Sequence, residues 1–150
     1  MNNPPLFAPI FDVCVFMVEN RFVISIDVPI TAFVLVAGTG DNKVKINFGS
    51  FINMSYHGWI NSDIIDLNQF ASQHRYKFLQ LDVRQVLPFK EECVDLIFSS
   101  HMLEHLTKNE GLFFLRECYR VMKPGAVMRI VVPDAQRLIN YYQEKQMTPA

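Results

Sequence analysis

Several residues with useful chemistry stand directly after apolar runs. Gly49 and Ser50 follow the run at 44–48, Asp63 closes the run at 59–65, and Asp82 closes the run at 78–83. Ser99, Ser100 and His101 close the run at 94–100. A glycine at such a point lets backbone come close to a ligand. A carboxylate there can accept both hydroxyls of a ribose, which is what Asp63 offers. In an open parallel sheet, ligands bind outside the carboxyl ends of the strands, where strand order reverses. The joint placement of these residues on one edge is therefore the signal, more than any one of them. A second pattern competes. His101, Glu104 and His105 have H-x-x-E-H spacing, which on a helix would put both imidazoles on one face as zinc ligands. That segment directly follows a buried strand, and the later glutamates (Glu110, Glu117, Glu144) lie close behind it. A zinc hydrolase is accordingly the last of three readings, and no metal is expected.

The elements that position these residues can be read from the pattern. The runs at 44–48, 59–65, 78–83, 94–100 and 126–132 are short, apolar and separated by polar or helical stretches. That alternation predicts an α/β fold with a parallel sheet covered on both faces. Thr107 and Glu110 form a capping box, and Phe114, Leu115, Cys118, Val121 and Met122 make one buried stripe behind it. Lys123-Pro-Gly125 ends this helix. A second helix starts at Ala135 with Asp134 as its N-cap, and residues 66–77 are expected to be helical as well. Ahead of all this, residues 11–18 and 21–28 read as strands joined by a hairpin turn at Glu19-Asn20. Residues 31–37 form a third apolar run, closed by a turn at 38–42.

The chain has 150 residues, 50% of them apolar and 19% charged, with a net charge of −1. That length suits one folding unit able to bury a core without disulfide or metal. Near-neutral charge argues against a nucleic-acid partner held by a basic face. Three distant cysteines form no CxxC pair and read as free thiols in a reducing compartment. The longest uncharged run near the N-terminus, 28–40, is too short to span a membrane, and no secretory signal is evident. The expected location is cytoplasmic. Residues 1–42 carry a net charge of −3 and residues 43–150 carry +2, and the strand pattern reads 1–42 as an N-terminal β-rich extension of the domain at 43–150.

Residues 43–142 resemble the class I S-adenosylmethionine-dependent methyltransferases. KINFGS at 45–50 and GWINSD at 58–63 resemble the subgroup with a short first loop and a GWINxD second strand. LDVR at 81–84, VDLIFSSHMLEHL at 94–106, ECYRVMKPG at 117–125 and RIVVPD at 129–134 follow in register. The resemblance implies a Rossmann-like, doubly wound, mostly parallel sheet and S-adenosyl-L-methionine as cofactor. It implies that backbone at Phe48, Gly49 and Ser50 approaches the methionine end of the cofactor. Asp63 would hold the ribose hydroxyls, Asp82 and the Val83 amide would face the adenine, and Ser99, Ser100 and His101 would line the floor near the sulfonium. The reaction is an in-line displacement whose main requirement is alignment. His101 and His105 are the candidate bases, or else order the loop together with Glu104.

Two departures from the family pattern set expectations of their own. Phe51 stands where the family has a second glycine. The pair Phe51-Ile52 suggests a loop rebuilt around the ring, with Phe51 packed as core. The chain also stops after the helix following the fifth strand, without the family's last two antiparallel strands. Either it is truncated, or the N-terminal strands cover the exposed edge. The leading expectation is a methyltransferase acting on a small molecule or glycan, with a homodimer through the sheet edge as a further expectation. The second is a degenerate, non-catalytic member of the fold acting as a binding or subunit module.

Overall fold

The computed structural model describes residues 12–18, 21–26, 43–55 and 58–147. Among the described residues, seven strands form one sheet. In chain order they are β1 (Asp12–Val18), β2 (Arg21–Ile26), β3 (Lys45–Phe48), β4 (Trp59–Asp63), β5 (Lys77–Gln80), β6 (Val94–Ser100) and β7 (Met122–Pro133). Their spatial order is β2-β1-β7-β6-β3-β4-β5. The five strands from β3 to β7 run parallel, and order reverses between β3 and β6, which pair along Lys45–Leu96 to Phe48–Ser99. This is the doubly wound α/β sheet that the sequence predicts, with its switch point at the carboxyl ends of β3 and β6.

The N-terminal hairpin lies on the open edge. β1 pairs antiparallel with β2 from Val13–Ile26 to Val18–Arg21, and antiparallel with β7 from Asp12–Pro133 to Met17–Met128. Two antiparallel strands thus stand where the family resemblance places its last two. The edge of β7 is taken, and β2 and β5 are the outermost of the described strands. A pairing between two copies through β7 has no free edge to use. The expected turn at residues 19–20 and the apolar run at 31–37 lie outside the described residues.

The described α-helices are α1 (Asn68–Gln73), α2 (Lys108–Val121) and α3 (Ala135–Met147). The expected helix over 66–77 is confined to α1, because His74 and Arg75 turn and residues 77–80 extend into β5. α2 begins on the expected capping box: the Thr107 hydroxyl accepts from the Glu110 amide and the Glu110 carboxylate accepts from the Thr107 amide. It ends at Val121, two residues before the expected stop, and Met122 already belongs to β7. Asp134 caps α3, accepting from the Arg137 amide at 3.1 Å.

One face of the sheet packs on α2. Ile46, Phe48, Ile97, Met128 and Ile130 meet Phe114, Cys118 and Val121 in the main core. Phe48 and Phe114 stack edge to face, with ring centroids 5.3 Å apart. Burial pushes the Cys118 thiol well above its ordinary value, so it stays protonated as a small apolar side chain. The opposite face carries a different row across the sheet: Asn61, Asn47, Phe98 and Arg129, in register from strand to strand. Asn61, Asn47 and Arg129 are all buried.

A candidate nucleotide site at the switch point

The first strand of the parallel set ends in a forced turn. Gly49 has φ +66°, and a Cβ added to it would sit 2.7 Å from both Cβ and Cγ of Met102. The left-handed backbone and the Met102 contact each require glycine here. Gly49→Ala should therefore lower stability by about 1–2 kcal/mol, read as a drop in urea midpoint with an unchanged slope. Phe51 follows at φ +41° and is half exposed, as is Ile52. The expectation that Phe51 packs as core is thus corrected. The bend keeps a left-handed conformation, and the phenyl ring is half exposed and borders two clefts.

Asp63 at the end of β4 holds this turn. Its carboxylate accepts from the Phe51 amide at 2.9 Å and from the Ile65 amide at 3.1 Å. The neighbouring ladders extend to the same point through Ser50 N–H to Ser62 O and Leu81 N–H to Asp63 O, both 3.0 Å. Beyond β5, Asp82 receives the Arg84 side chain in a two-pronged pair at 2.8 Å and 2.8 Å, and the Arg84 amide at 2.9 Å. These bonds, the side-chain ones first, hold the Asp82 carboxyl below the ordinary carboxylate range. Arg84 also lies 3.9 Å from Glu110 in the first turn of α2.

After β6, His101 takes φ +53°, and its amide donates to Val131 O at 2.9 Å. Its ring Nδ1 lies 3.3 Å from the Glu104 carboxylate. Leu103–His105 form a single 3₁₀ turn. The continuous helix that the H-x-x-E-H reading needs is therefore not formed, since the left-handed residue at 101 breaks it. Among the described residues no group of three acidic, His or Cys side chains gathers as a metal site.

These elements enclose two clefts. The first, about 370 Å³, is walled by Gly49, Asp63, Asp82, Val83, His101 and His105, with Arg84, Met102 and Glu110. The second, about 480 Å³, is walled by Gly49, Ser50, Ser100 and His101, with Phe51, Asn53 and Phe98. Phe48 and Ser99 are fully buried and line neither cleft. Their side chains project from the sheet into its packed interior, so only their backbone is left for a ligand. Arg84, Met102 and Glu110 are wall residues that strand-end reasoning does not find. Only the Asp-x-Arg spacing at 82–84, suited to a carboxylate turn, carries a signal for one of them.

A methyltransferase-domain family model matches residues 60–130. Solved structures agree on the architecture. A SAM-dependent methyltransferase from Archaeoglobus fulgidus is 19% identical, with a TM-score of 0.60 over 79% of this chain and 59% of that one. The fold is that of a class I methyltransferase. The PH0226 protein of Pyrococcus horikoshii OT3 is similar at 15% identity and TM-score 0.61, over 76% of this chain and 59% of that one. A SAM-dependent methyltransferase from Aquifex aeolicus gives 19% identity and TM-score 0.51, over 67% and 61%. Among curated proteins none matches the sequence. The methyltransferase-like chain spans less than two thirds of each of these structures. The family model covers just under half of the chain, and the solved structures share its fold. No described helix is long and apolar enough to cross a membrane.

The first cleft fits S-adenosylmethionine by its donor set. Asp63 ends β4 and Asp82 follows the end of β5 by two residues, which would offer acceptors to a ribose and an amino-bearing base, and Ile64, Leu81, Val83 and Leu106 supply apolar wall.

Proposed function

We propose that this chain binds S-adenosyl-L-methionine in the first cleft and transfers its methyl group to a small molecule or glycan. The convergence of Gly49, Asp63, Asp82 and His101 on one cleft at the switch point carries this reading. Asp63 would hold the ribose hydroxyls while keeping its bonds to the Phe51 and Ile65 amides, since each carboxylate oxygen can accept twice. Asp82 and the Val83 amide would face the base, at the end of the cleft that the Arg84–Asp82 pair borders. The bound cofactor supplies an electrophilic methyl group on sulfur. His101 is the better base of the two histidines, because it lines both clefts, whereas His105 lines only the first. It would take the proton of an acceptor hydroxyl, and the Glu104 carboxylate beside it would stabilise the imidazolium.

A non-catalytic binding module is favoured by one observation: Arg84 already occupies both oxygens of Asp82. Calorimetry with S-adenosylhomocysteine decides first whether the cleft binds the cofactor. The wild type should bind, and Asp63→Ala should weaken binding by about 30-fold, near 2 kcal/mol. Because Asp63 also holds the 51–65 turn, Asp63→Asn, which retains one acceptor oxygen, serves as the companion variant. Wild-type affinity in both variants would remove Asp63 from the site.

A further inference from the structure

Resting on the cofactor reading, we propose that the second cleft takes the methyl acceptor, and that this acceptor is an uncharged, ring-bearing alcohol or phenol. The two clefts share three described residues, Gly49, Phe51 and His101. Among the described residues, that seam is where a molecule in one cleft can meet a molecule in the other. His101 stands there, fixed by its amide bond to Val131 and by Glu104 against its ring. At about 480 Å³ the second cleft has room for a ring-sized molecule.

The wall chemistry of the two clefts differs. The first carries Asp63, Asp82, Arg84 and Glu110. None of the described residues lining the second is Asp, Glu, Lys or Arg. A charged acceptor would lose hydration there and find no carboxylate, ammonium or guanidinium group among the described wall residues. Asn53 and Ser100 instead offer neutral donors and acceptors suited to hydroxyls. Phe98 and Phe51 offer apolar rings against which a planar or saturated ring can lie. Phe51 thus acquires a use: half exposed at the seam, it is placed to order the acceptor rather than the core.

Ligand-observed NMR with S-adenosylhomocysteine present tests this, using p-methoxyphenol and a methyl glucoside as neutral rings and benzoate and benzylamine as charged controls. At least one neutral ring should bind saturably, and both charged rings should bind at least about tenfold more weakly. Which neutral ring binds separates an aryl source from a sugar. Asn53 is exposed on its loop, so Asn53→Lys should fold normally. It should weaken the neutral ring about tenfold while leaving affinity for S-adenosylhomocysteine unchanged. Charged rings binding as well as neutral ones, or unaltered neutral-ring binding in Asn53→Lys, would overturn the proposal. A wild type that binds S-adenosylhomocysteine but no neutral ring overturns this proposal alone. A wild type that binds no S-adenosylhomocysteine fails the cofactor reading and this proposal with it.

Discussion

Asn61→Ala should lower the stability of the folded chain by about 3–4 kcal/mol, the largest loss expected from any single substitution outside the main core. Asn61 is fully buried in the middle of β4. Its carbonyl oxygen accepts from the Ser55 amide at 2.7 Å and from the Asn47 side chain at 3.1 Å. Its amide group donates to Ser55 O at 2.9 Å and to Lys77 O at 3.2 Å. One side chain thus mimics a strand partner for Ser55 and ties it to β3 and β5. The connection from β3 to β4 has no described helix to bury that face, so this amide does the holding. Alanine would take the acceptor from the half-buried Ser55 amide and leave the buried Asn47 side chain only its longer 3.4 Å bond to Asn53 O, and an unsatisfied buried group costs about 1–3 kcal/mol. Asn61→Asp keeps the acceptor but loses the donor and buries a charge, so it should be at least as damaging. Urea unfolding measures both. A loss below about 1 kcal/mol for Asn61→Ala would mean that water or a shifted loop replaces the network.

That network also marks where sequence reading stops. The strands were legible because β-branched and aromatic runs sit between turn residues, and β6 matches its predicted bounds residue for residue. The capping box at Thr107 and the N-cap at Asp134 were legible because a local pattern carries them entirely. Asn47 and Asn61 stood in plain view within two predicted strands. A polar residue in a strand, however, is ordinarily read as facing water, and nothing local tells that both face a closing loop. Phe51 misled for a related reason. Its hydrophobicity argued for burial, while the Asp63 carboxylate twelve residues away fixes the turn that exposes it. The hairpin of β1 and β2 was readable as a unit. Its pairing with β7 depends on contacts more than a hundred residues apart, which no local pattern encodes. The site was legible as a set of strand ends, since topology brings strand ends together. The division into two clefts was not, because it depends on the left-handed turns at Phe51 and His101.

The second large effect belongs to Glu117, which is 9% exposed in α2. Its carboxylate accepts from the Leu87 amide at 2.8 Å and from Arg120 at 2.7 Å and 2.9 Å. Arg120 in turn donates to the carbonyls of Leu87 and Phe89. This cluster pins the segment after β5, whose neighbours Asp82 to Arg84 wall the first cleft, onto the helix that packs the core. Glu117→Gln should cost about 2–3 kcal/mol near neutral pH, because the charge-assisted pair with Arg120 is lost. The loss should depend on pH in a defined direction. Hydrogen bonds from Arg120 outweigh burial and hold the Glu117 carboxyl below its ordinary value of 4.5. A carboxyl depressed by folding contributes its stabilisation above the unfolded value, and loses it as pH falls through the lower folded value. The wild type should therefore lose stability steeply below about pH 4.5. Glu117→Gln has no such carboxyl to protonate, so its deficit should shrink as pH falls from 4.5 through the lower folded value of Glu117. Burial raises the Asp95 carboxyl, but Lys123 and the Val44 amide together hold it below its ordinary value, and this titration is common to both proteins and cancels in the difference. Urea unfolding of the pair across that range measures the difference. A gap between wild type and variant that stays constant from neutral to acid pH would show that Glu117 acts by packing alone.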